Sequence, residues 1–132
     1  MLYLTRRETF AAAHRLYQND LSEIENQKLY GKCANFYGHG HNYEIQVTIA
    51  GKPNAQNGML MNLVQLKEII HREIISEVDH KHLNQDVTWL KNINPTAENL
   101  VLAFWNRLKP HLDLFSIKLI ETENNWAEYR GE

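Results

Sequence analysis

The sequence predicts an α+β fold of the order β-β-α-α-β-β, in which two helices cover one face of an antiparallel sheet. Three observations carry this prediction. Apolar and polar residues alternate before residue 50 and again after residue 114, and two segments between these regions place apolar residues at helical spacing. With 132 residues, of which 43% are apolar, the chain can bury one core, so we expect a single domain over residues 1–132.

The first two predicted strands form the amino-terminal part of the sheet. Residues 2–13 are strand-like throughout, and residues 42–49 alternate strictly between the two faces. The apolar positions of the second strand are Tyr43, Ile45, Val47 and Ile49. Turn residues at 51–54 and 56–58 then favour the return of residues 59–61 as a short extension of the sheet.

The two predicted helices follow the hairpin. Asn62, with Gln65 three residues later, is a variant of the capping box, and the apolar spacing after it predicts a helix over residues 63–77. Pro95 and Thr96 are typical of a second helix start, and Pro110 ends that helix. Both helices have one apolar face, which predicts that they pack on the sheet.

Two further strands are predicted near the carboxyl terminus. Residues 115–119 form the third strand and residues 126–129 the fourth, with a turn through Asn124 and Asn125. A four-stranded sheet of this kind leaves its outer strands unpaired, which favours aggregation unless neighbours cover them. We therefore expect a homo-oligomer.

The composition excludes several classes of protein. The net charge is -2 and the basic residues are scattered, which argues against nucleic acid or a membrane surface as partner. The amino terminus lacks the apolar core of a signal peptide, and no apolar run is long enough to span a bilayer, so we expect a cytoplasmic protein. Cys33, the single cysteine, cannot form an internal disulfide.

Three histidines form a candidate metal site. His39 and His41 are two apart at the start of the second strand, so their side chains share one face, and hairpin pairing can bring His14 alongside them. Three imidazoles leave the fourth position of a tetrahedral zinc ion open, as a catalytic site requires. Taken singly, each histidine is more typical of a surface or hydrogen-bonded position.

Four further residues are candidates for proton transfer or binding. Cys33 lies in a loop-like stretch, where a nearby cation would lower the pKa of the thiol. Asp79 is followed by His80, and a carboxylate can orient an imidazole. Glu121 ends an apolar run and can accept two hydrogen bonds from an aminopyrimidine edge. The same residues are also compatible with an inert thiol, a capped helix end and a solvated strand end.

Together these motifs resemble the family of 6-pyruvoyltetrahydropterin synthase and 6-carboxytetrahydropterin synthase. The resemblance covers essentially the whole chain in the same order. The first motif reads Ala-Ala-Ala-His where many relatives have serine beside the alanine, which affects only local hydrogen bonding because His14 is retained. The matching segments are residues 10–16, 31–33, 38–43, 58–63, 79–83, 95–99, 121–122 and 129–132.

The resemblance implies the T-fold (tunnelling fold), in which three subunits close their sheets into a barrel and two trimers form a hexamer with interfacial active sites. It implies one role for each group of candidate residues. The implied zinc ligands are His14, His39 and His41; the implied proton-transfer group is Cys33, Asp79 and His80; and the implied pterin-binding residues are Glu121, Thr96 and Glu98.

The implied substrate is 7,8-dihydroneopterin triphosphate, with Zn²⁺ as the cofactor and no redox cofactor. Five residues separate Cys33 from His39, which resembles the pyruvoyl branch of tetrahydrobiopterin biosynthesis more than the carboxy branch of queuosine biosynthesis. The carboxy branch remains open, with acetaldehyde as its second product. A non-catalytic pterin-binding protein of the same fold also remains open, as does a dihydroneopterin aldolase or epimerase, which lacks the three-histidine site.

Overall fold

The computed structural model describes the chain from Met1 to Glu132. A five-stranded sheet with the order β3-β1-β2-β4-β5 forms its centre, and only the β1–β3 pair is parallel. The predicted α+β class with an antiparallel main sheet is confirmed, although the sheet has one strand more than expected. The strands are β1 Leu2–His14, β2 His39–Gly51, β3 Lys81–His82, β4 Leu114–Thr122 and β5 Asn125–Tyr129.

The pairing of β1 with β2 positions the candidate site. Both strands have 13 residues, and their register runs without a shift from Leu2 opposite Gly51 to His14 opposite His39. Side chains of paired residues lie on the same face, and the apolar set of each strand faces the core. A shift of one residue would move His14 to the other face, so the buried apolar pattern also fixes the position of the imidazoles.

The helices cover one face of this sheet. Buried side chains of α2 and α4 pack in one cluster with those of β1, β2 and β4. The Phe10 ring stacks on Tyr43 at 4.9 Å and meets Phe104 of α4 edge-on at 6.0 Å. The helices are α1 Glu23–Tyr30, α2 Leu63–Ile70, α3 Ser76–Val78 and α4 Ala97–Leu108. None of them has the length and apolar composition that crossing a bilayer requires.

A π-helical turn, His71–Ile75, joins α2 to α3. The predicted helix over residues 63–77 therefore has the right extent but is interrupted. A π turn inserts an extra residue into the α-helical ladder. The carbonyl oxygen of Glu73 accepts a hydrogen bond from Arg107 Nε of α4 at 3.1 Å, so a neighbouring helix binds the backbone at this turn.

Three local expectations were wrong. Residues 59–61 form no strand, because Asn54 closes a compact loop before them. The Asn54 side chain accepts hydrogen bonds from the backbone amides of Gln56 and Asn57, and its own backbone amide donates to the Met59 carbonyl. Asn62 caps α2 through the Val64 amide without the reciprocal bond from Gln65. The last turn lies at residues 123–124, one position earlier than predicted.

Helix α1 and strand β3 were not predicted. Helix α1 buries only Asn26 and therefore has no apolar stripe to detect, although Ser22 and Glu25 form a complete capping box at its start. Strand β3 has two residues, which is too short for an alternating pattern. Both elements nevertheless contribute to the surroundings of the candidate site.

Candidate active site and metal centre

The three candidate histidines lie together at one end of the β1–β2 hairpin. One ligand nitrogen from each of His14, His39 and His41 can be chosen so that all three lie within 4.8 Å of one another. His14 is buried and the other two are partly buried. The register explains the grouping, because His14 lies opposite His39 and the next residue on the same face of β2 is His41.

A backbone hydrogen bond determines the tautomer of His14. Its Nδ1 lies 2.8 Å from the carbonyl oxygen of Pro95, which can only accept, so the proton must be on Nδ1. The lone pair of Nε2 therefore points toward His39, whose Nε2 is 3.0 Å away. Metal-ligating histidines commonly donate their second ring nitrogen to a carbonyl in this way.

The distances and protonation of the cluster suit a divalent metal ion. With zinc–nitrogen bonds of about 2.0–2.1 Å, two nitrogen ligands of a tetrahedral zinc ion lie roughly 3.3–3.4 Å apart. In the cluster, Nε2 of His14 and Nε2 of His39 are 3.0 Å apart, and the three ligand nitrogens lie within 4.8 Å of one another. The ideal distance falls inside this range. His39 Nδ1 and His41 Nε2 are buried without a hydrogen-bond partner. Burial lowers the pKa of His14 to about 4, although the hydrogen bond to Pro95 acts to raise it. Burial also lowers the pKa of His39. Both imidazoles are thus neutral, as ligands must be.

Glu121 connects this cluster to a cavity of about 550 Å³. Its Oε1 lies 3.4 Å from His41 Nε2, and its side chain also lines the cavity together with Thr96 and Glu98. The structure therefore brings the three predicted pterin-binding residues to one cavity. No lysine, arginine or histidine lines it. A cavity with two carboxylates and no cation suits a ligand that presents hydrogen-bond donors.

Thr96 also has a structural role at this cavity. Its Oγ1 accepts a hydrogen bond from the Asn99 amide at 3.1 Å and so caps α4. The hydroxyl proton stays available to a ligand, since the cap uses only an acceptor position. Replacing Thr96 would therefore affect both the helix start and the cavity wall.

Tyr30 and Trp126 also line this cavity, and neither was a candidate from the sequence. Tyr30 ends α1, the helix that lacks an apolar stripe, and Trp126 was interpreted only as a strand residue. The sequence does not distinguish Trp126 from a core aromatic residue; only the structure shows that Trp126 is 54% exposed.

Cys33 lies in a 3₁₀ turn, Gly31–Ala34, that is attached to the residues directly after His14. The Leu16 amide donates to the Cys33 carbonyl at 2.8 Å, and Arg15 Nε donates to the Ala34 carbonyl at 2.9 Å. Burial raises the pKa of Tyr43, and the charge of Glu121 raises it further. The Tyr43 ring is 6.1 Å from that of His14.

Asp79 orients His80 at the other edge of β1. Its Oδ1 accepts from the Ala11 amide and lies 3.0 Å from His80 Nδ1. The Ala11 hydrogen bond, followed by that of His80, lowers the pKa of Asp79 despite burial, so the carboxylate is charged near neutral pH. His80 has φ 61°, a left-handed conformation that costs about 1–2 kcal/mol for a side chain with a Cβ. Such strain is concentrated at functional positions.

Cys33 and His80 line no common cavity. The exposed His80 side chain lines a cavity with residues 11–13 of β1 and with Gly40, His41 and Asn42 of β2. His41, a member of the metal cluster, therefore borders this cavity. Cys33 does not line it.

Comparisons with known proteins agree with these features. The model of the family described as 6-pyruvoyl tetrahydropterin synthase matches residues 3–132. The 6-pyruvoyl tetrahydrobiopterin synthase of Dictyostelium discoideum is 49% identical over 131 residues, covering 98% of this chain and 96% of the relative. The structure of Caenorhabditis elegans 6-pyruvoyl tetrahydropterin synthase superposes with a TM-score of 0.94 at 34% identity, covering 99% of this chain and 96% of the other. The 6-carboxy-5,6,7,8-tetrahydropterin synthase of Rickettsia bellii (strain RML369-C) is 33% identical over 150 residues, covering 97% of this chain and 99% of the relative.

Proposed function

The chain belongs to the 6-pyruvoyl tetrahydropterin synthase family, and from this membership we propose that it is a zinc-dependent lyase acting on 7,8-dihydroneopterin triphosphate. The products are 6-pyruvoyltetrahydropterin and free triphosphate. One observation carries the proposal beyond family membership: the cluster of His14, His39 and His41 adjoins the carboxylate of Glu121, which lines the adjacent cavity. A metal site next to a site for a donor-rich ring is the combination that this reaction needs.

The three imidazoles hold the zinc ion in this proposal. Nitrogen ligands and a fourth open position suit zinc in a catalytic role. The Pro95 carbonyl supports this role by holding His14 in the tautomer that leaves Nε2 free. When bound, zinc supplies Lewis-acid polarisation of the oxygen atoms on the substrate side chain.

Glu121 binds the pterin ring by its aminopyrimidine edge. A carboxylate has two acceptor oxygens in one plane, and this ring edge presents two donors with matching geometry. The lack of a cationic side chain in the cavity leaves the carboxylates free to accept. Thr96 and Glu98 complete the polar wall, and the 3.4 Å contact between Glu121 and His41 keeps the ring beside the metal cluster.

Cys33 and His80 transfer the protons, and Asp79 orients His80. Because Cys33 does not line the cavity of His80, a second copy of the chain would complete the site in this proposal. We propose a hexamer formed by two trimers, in which the Asp79–His80 pair of one subunit faces the metal cluster of its neighbour. Strand β5 ends the sheet on one side with its outer backbone groups unpaired, which supports such closure through neighbouring subunits.

Glu121→Gln is expected to weaken pterin binding with little change in metal content, because an amide has only one acceptor oxygen. Loss of a charged hydrogen bond corresponds to an increase in Kd of roughly 10- to 100-fold. Calorimetric titration with neopterin, which lacks phosphates, measures the change. Glu123→Gln is the matched control, since Glu123 is exposed and does not line the cavity. Equal affinities of the two variants would return Glu121 to a solvated strand end.

The test of the proposed reaction is product identification. Given dihydroneopterin triphosphate, the purified protein is expected to release one triphosphate per turnover without stoichiometric acetaldehyde, and to form 6-pyruvoyltetrahydropterin by mass. The 49% identity to the Dictyostelium discoideum protein, against 33% to the carboxy relative, supports the pyruvoyl product. One equivalent of acetaldehyde with a carboxypterin product would identify the 6-carboxy branch, and binding without turnover would identify a non-catalytic protein.

A further inference from the structure

A second large cavity lies beyond the end of β1, and none of the roles described above uses it. Its volume is about 760 Å³. Arg15 and Lys91 line it, and Asp20, which is exposed, is its one carboxylate. His82 of β3 also lines the wall.

Arg15 carries an unpaired donor in a fixed position. Its Nε donates to the Ala34 carbonyl at 2.9 Å, and the guanidinium lies over the Tyr17 ring at 4.0 Å. Nη2 is nevertheless buried without a hydrogen-bond partner, and the nearest carboxylate oxygen, of Glu23, is 3.6 Å away. A buried donor without a partner is unfavourable, so a ligand acceptor at this point would be favoured. Because the guanidinium is already held, binding would require little further ordering.

His82 adds a second side chain without partners. Both of its ring nitrogens are buried and make no hydrogen bond, while its backbone amide is held by Asp86 at 2.8 Å. Buried polar atoms in folded proteins are normally paired, and each exception requires an explanation. Arg15 and His82 line the same cavity, so one polar ligand there could pair with both side chains.

The charges of this cavity and of the Glu121 cavity are opposite. The Glu121 cavity has carboxylates and no cation, so it would repel an anion, whereas Arg15 and Lys91 attract one. The two cavities share a thin wall. Tyr30 lines the Glu121 cavity, and its hydroxyl is hydrogen-bonded to Gln18 at 2.6 Å and Asn94 at 3.0 Å, both of which line the larger cavity.

The metal cluster adjoins both regions. Glu121, which lines the first cavity, contacts His41, and Arg15, which lines the second, directly follows His14. The proposed substrate has three corresponding parts: a donor-rich ring, a three-carbon chain bearing oxygens, and a triphosphate. We propose that the Arg15 cavity binds the triphosphate group of this substrate, with Arg15 and Lys91 as its cationic contacts and His82 as a neighbouring donor. This inference rests on the proposed function, because it takes the substrate from there.

The test separates the two ends of the substrate. In the metal-loaded enzyme, Arg15→Gln is expected to raise KM for dihydroneopterin triphosphate roughly 10- to 100-fold, and Lys91→Gln, at an exposed position, roughly three- to tenfold. The affinity for neopterin should stay unchanged in both variants. Inorganic tripolyphosphate is the second probe, and its affinity is measured for each variant. Zinc content is measured before and after its addition, because polyphosphates chelate metal ions. Lys109→Gln is the matched control, since Lys109 is exposed and lines neither cavity.

Each outcome decides a separate question. Unchanged affinity of both variants for tripolyphosphate, with unchanged KM, would overturn the triphosphate site and leave the reaction intact. If both Arg15→Gln and Lys91→Gln lost neopterin binding as much as tripolyphosphate binding, the two residues would have a general structural role. That result would also overturn the triphosphate site. Absence of turnover in the parent protein, with tripolyphosphate binding that depends on Arg15 and Lys91, would support the anion site and contradict the proposed reaction.

Discussion

His41→Ala is expected to abolish both metal binding and turnover. Two imidazoles cannot hold zinc in a three-ligand catalytic geometry, and His41 is also the member of the cluster that contacts Glu121, at 3.4 Å. Loss of the Lewis acid removes several kcal/mol of transition-state stabilisation, so turnover should fall at least about a thousand-fold. Elemental analysis of the purified variant measures metal per subunit, where the parent protein is expected to hold about one zinc ion.

A matched control separates this effect from general damage. His111 is 38% exposed at its side chain and lies 3.5 Å from Glu73, a residue of the π turn, rather than in the cluster. His111→Ala should therefore retain metal and turnover. A full zinc complement in His41→Ala, or equal metal loss in both variants, would contradict the assignment of His41 as a ligand.

Cys33→Ala is expected to retain zinc and assembly but to lose turnover by about 10²- to 10⁴-fold, the usual contribution of a positioned acid or base. The turn around Cys33 is held by the backbone carbonyls of Cys33 and Ala34, which alanine preserves. The substitution thus removes the thiol without removing the contacts that attach the turn to β1. Single-turnover kinetics and metal analysis of the same preparation measure the two properties together.

Mixing two inactive variants tests whether the site is shared between subunits. Cys33→Ala and His80→Ala oligomers, dissociated and reassembled together, should recover part of the activity, since some mixed sites then contain an intact thiol and an intact imidazole. Near-normal turnover of Cys33→Ala alone would return Cys33 to the inert class. Absence of recovery in mixed assemblies that form correctly would mean that thiol and imidazole act from the same chain.

The β1–β2 hairpin was predictable because its two signals are local. Alternation from Tyr43 to Ile49 marks the buried face, and that face has a period of two, so the side-chain direction of His41 follows from that of Tyr43. Helix α4 was predictable for the same reason, since Pro95 and Thr96 mark its start and its apolar stripe is continuous.

Three elements had no apolar periodicity in the sequence. Helix α1 is stabilised by its Ser22–Glu25 capping box and by hydrogen bonds of Asn26, rather than by an apolar face. Arg107 of the distant helix α4 donates a hydrogen bond to the Glu73 carbonyl at the π turn, and β3 pairs with the edge of β1 that faces away from β2. A periodicity argument detects none of these, because such elements do not depend on a repeating apolar pattern.

The sequence by itself indicated the fold class, the pairing of the first two strands and the grouping of His14, His39 and His41, because each depends on side-chain alternation along paired strands. Tertiary structure alone decided which further residues join them. Glu121 reaches His41 through the pairing of β2 with β4, and the hydrogen bond from the Ala11 amide to Asp79 attaches the Asp79–His80 pair to the edge of β1. The physical reason is that strand periodicity specifies the face on which a side chain lies, whereas only long-range packing specifies which side chains meet there.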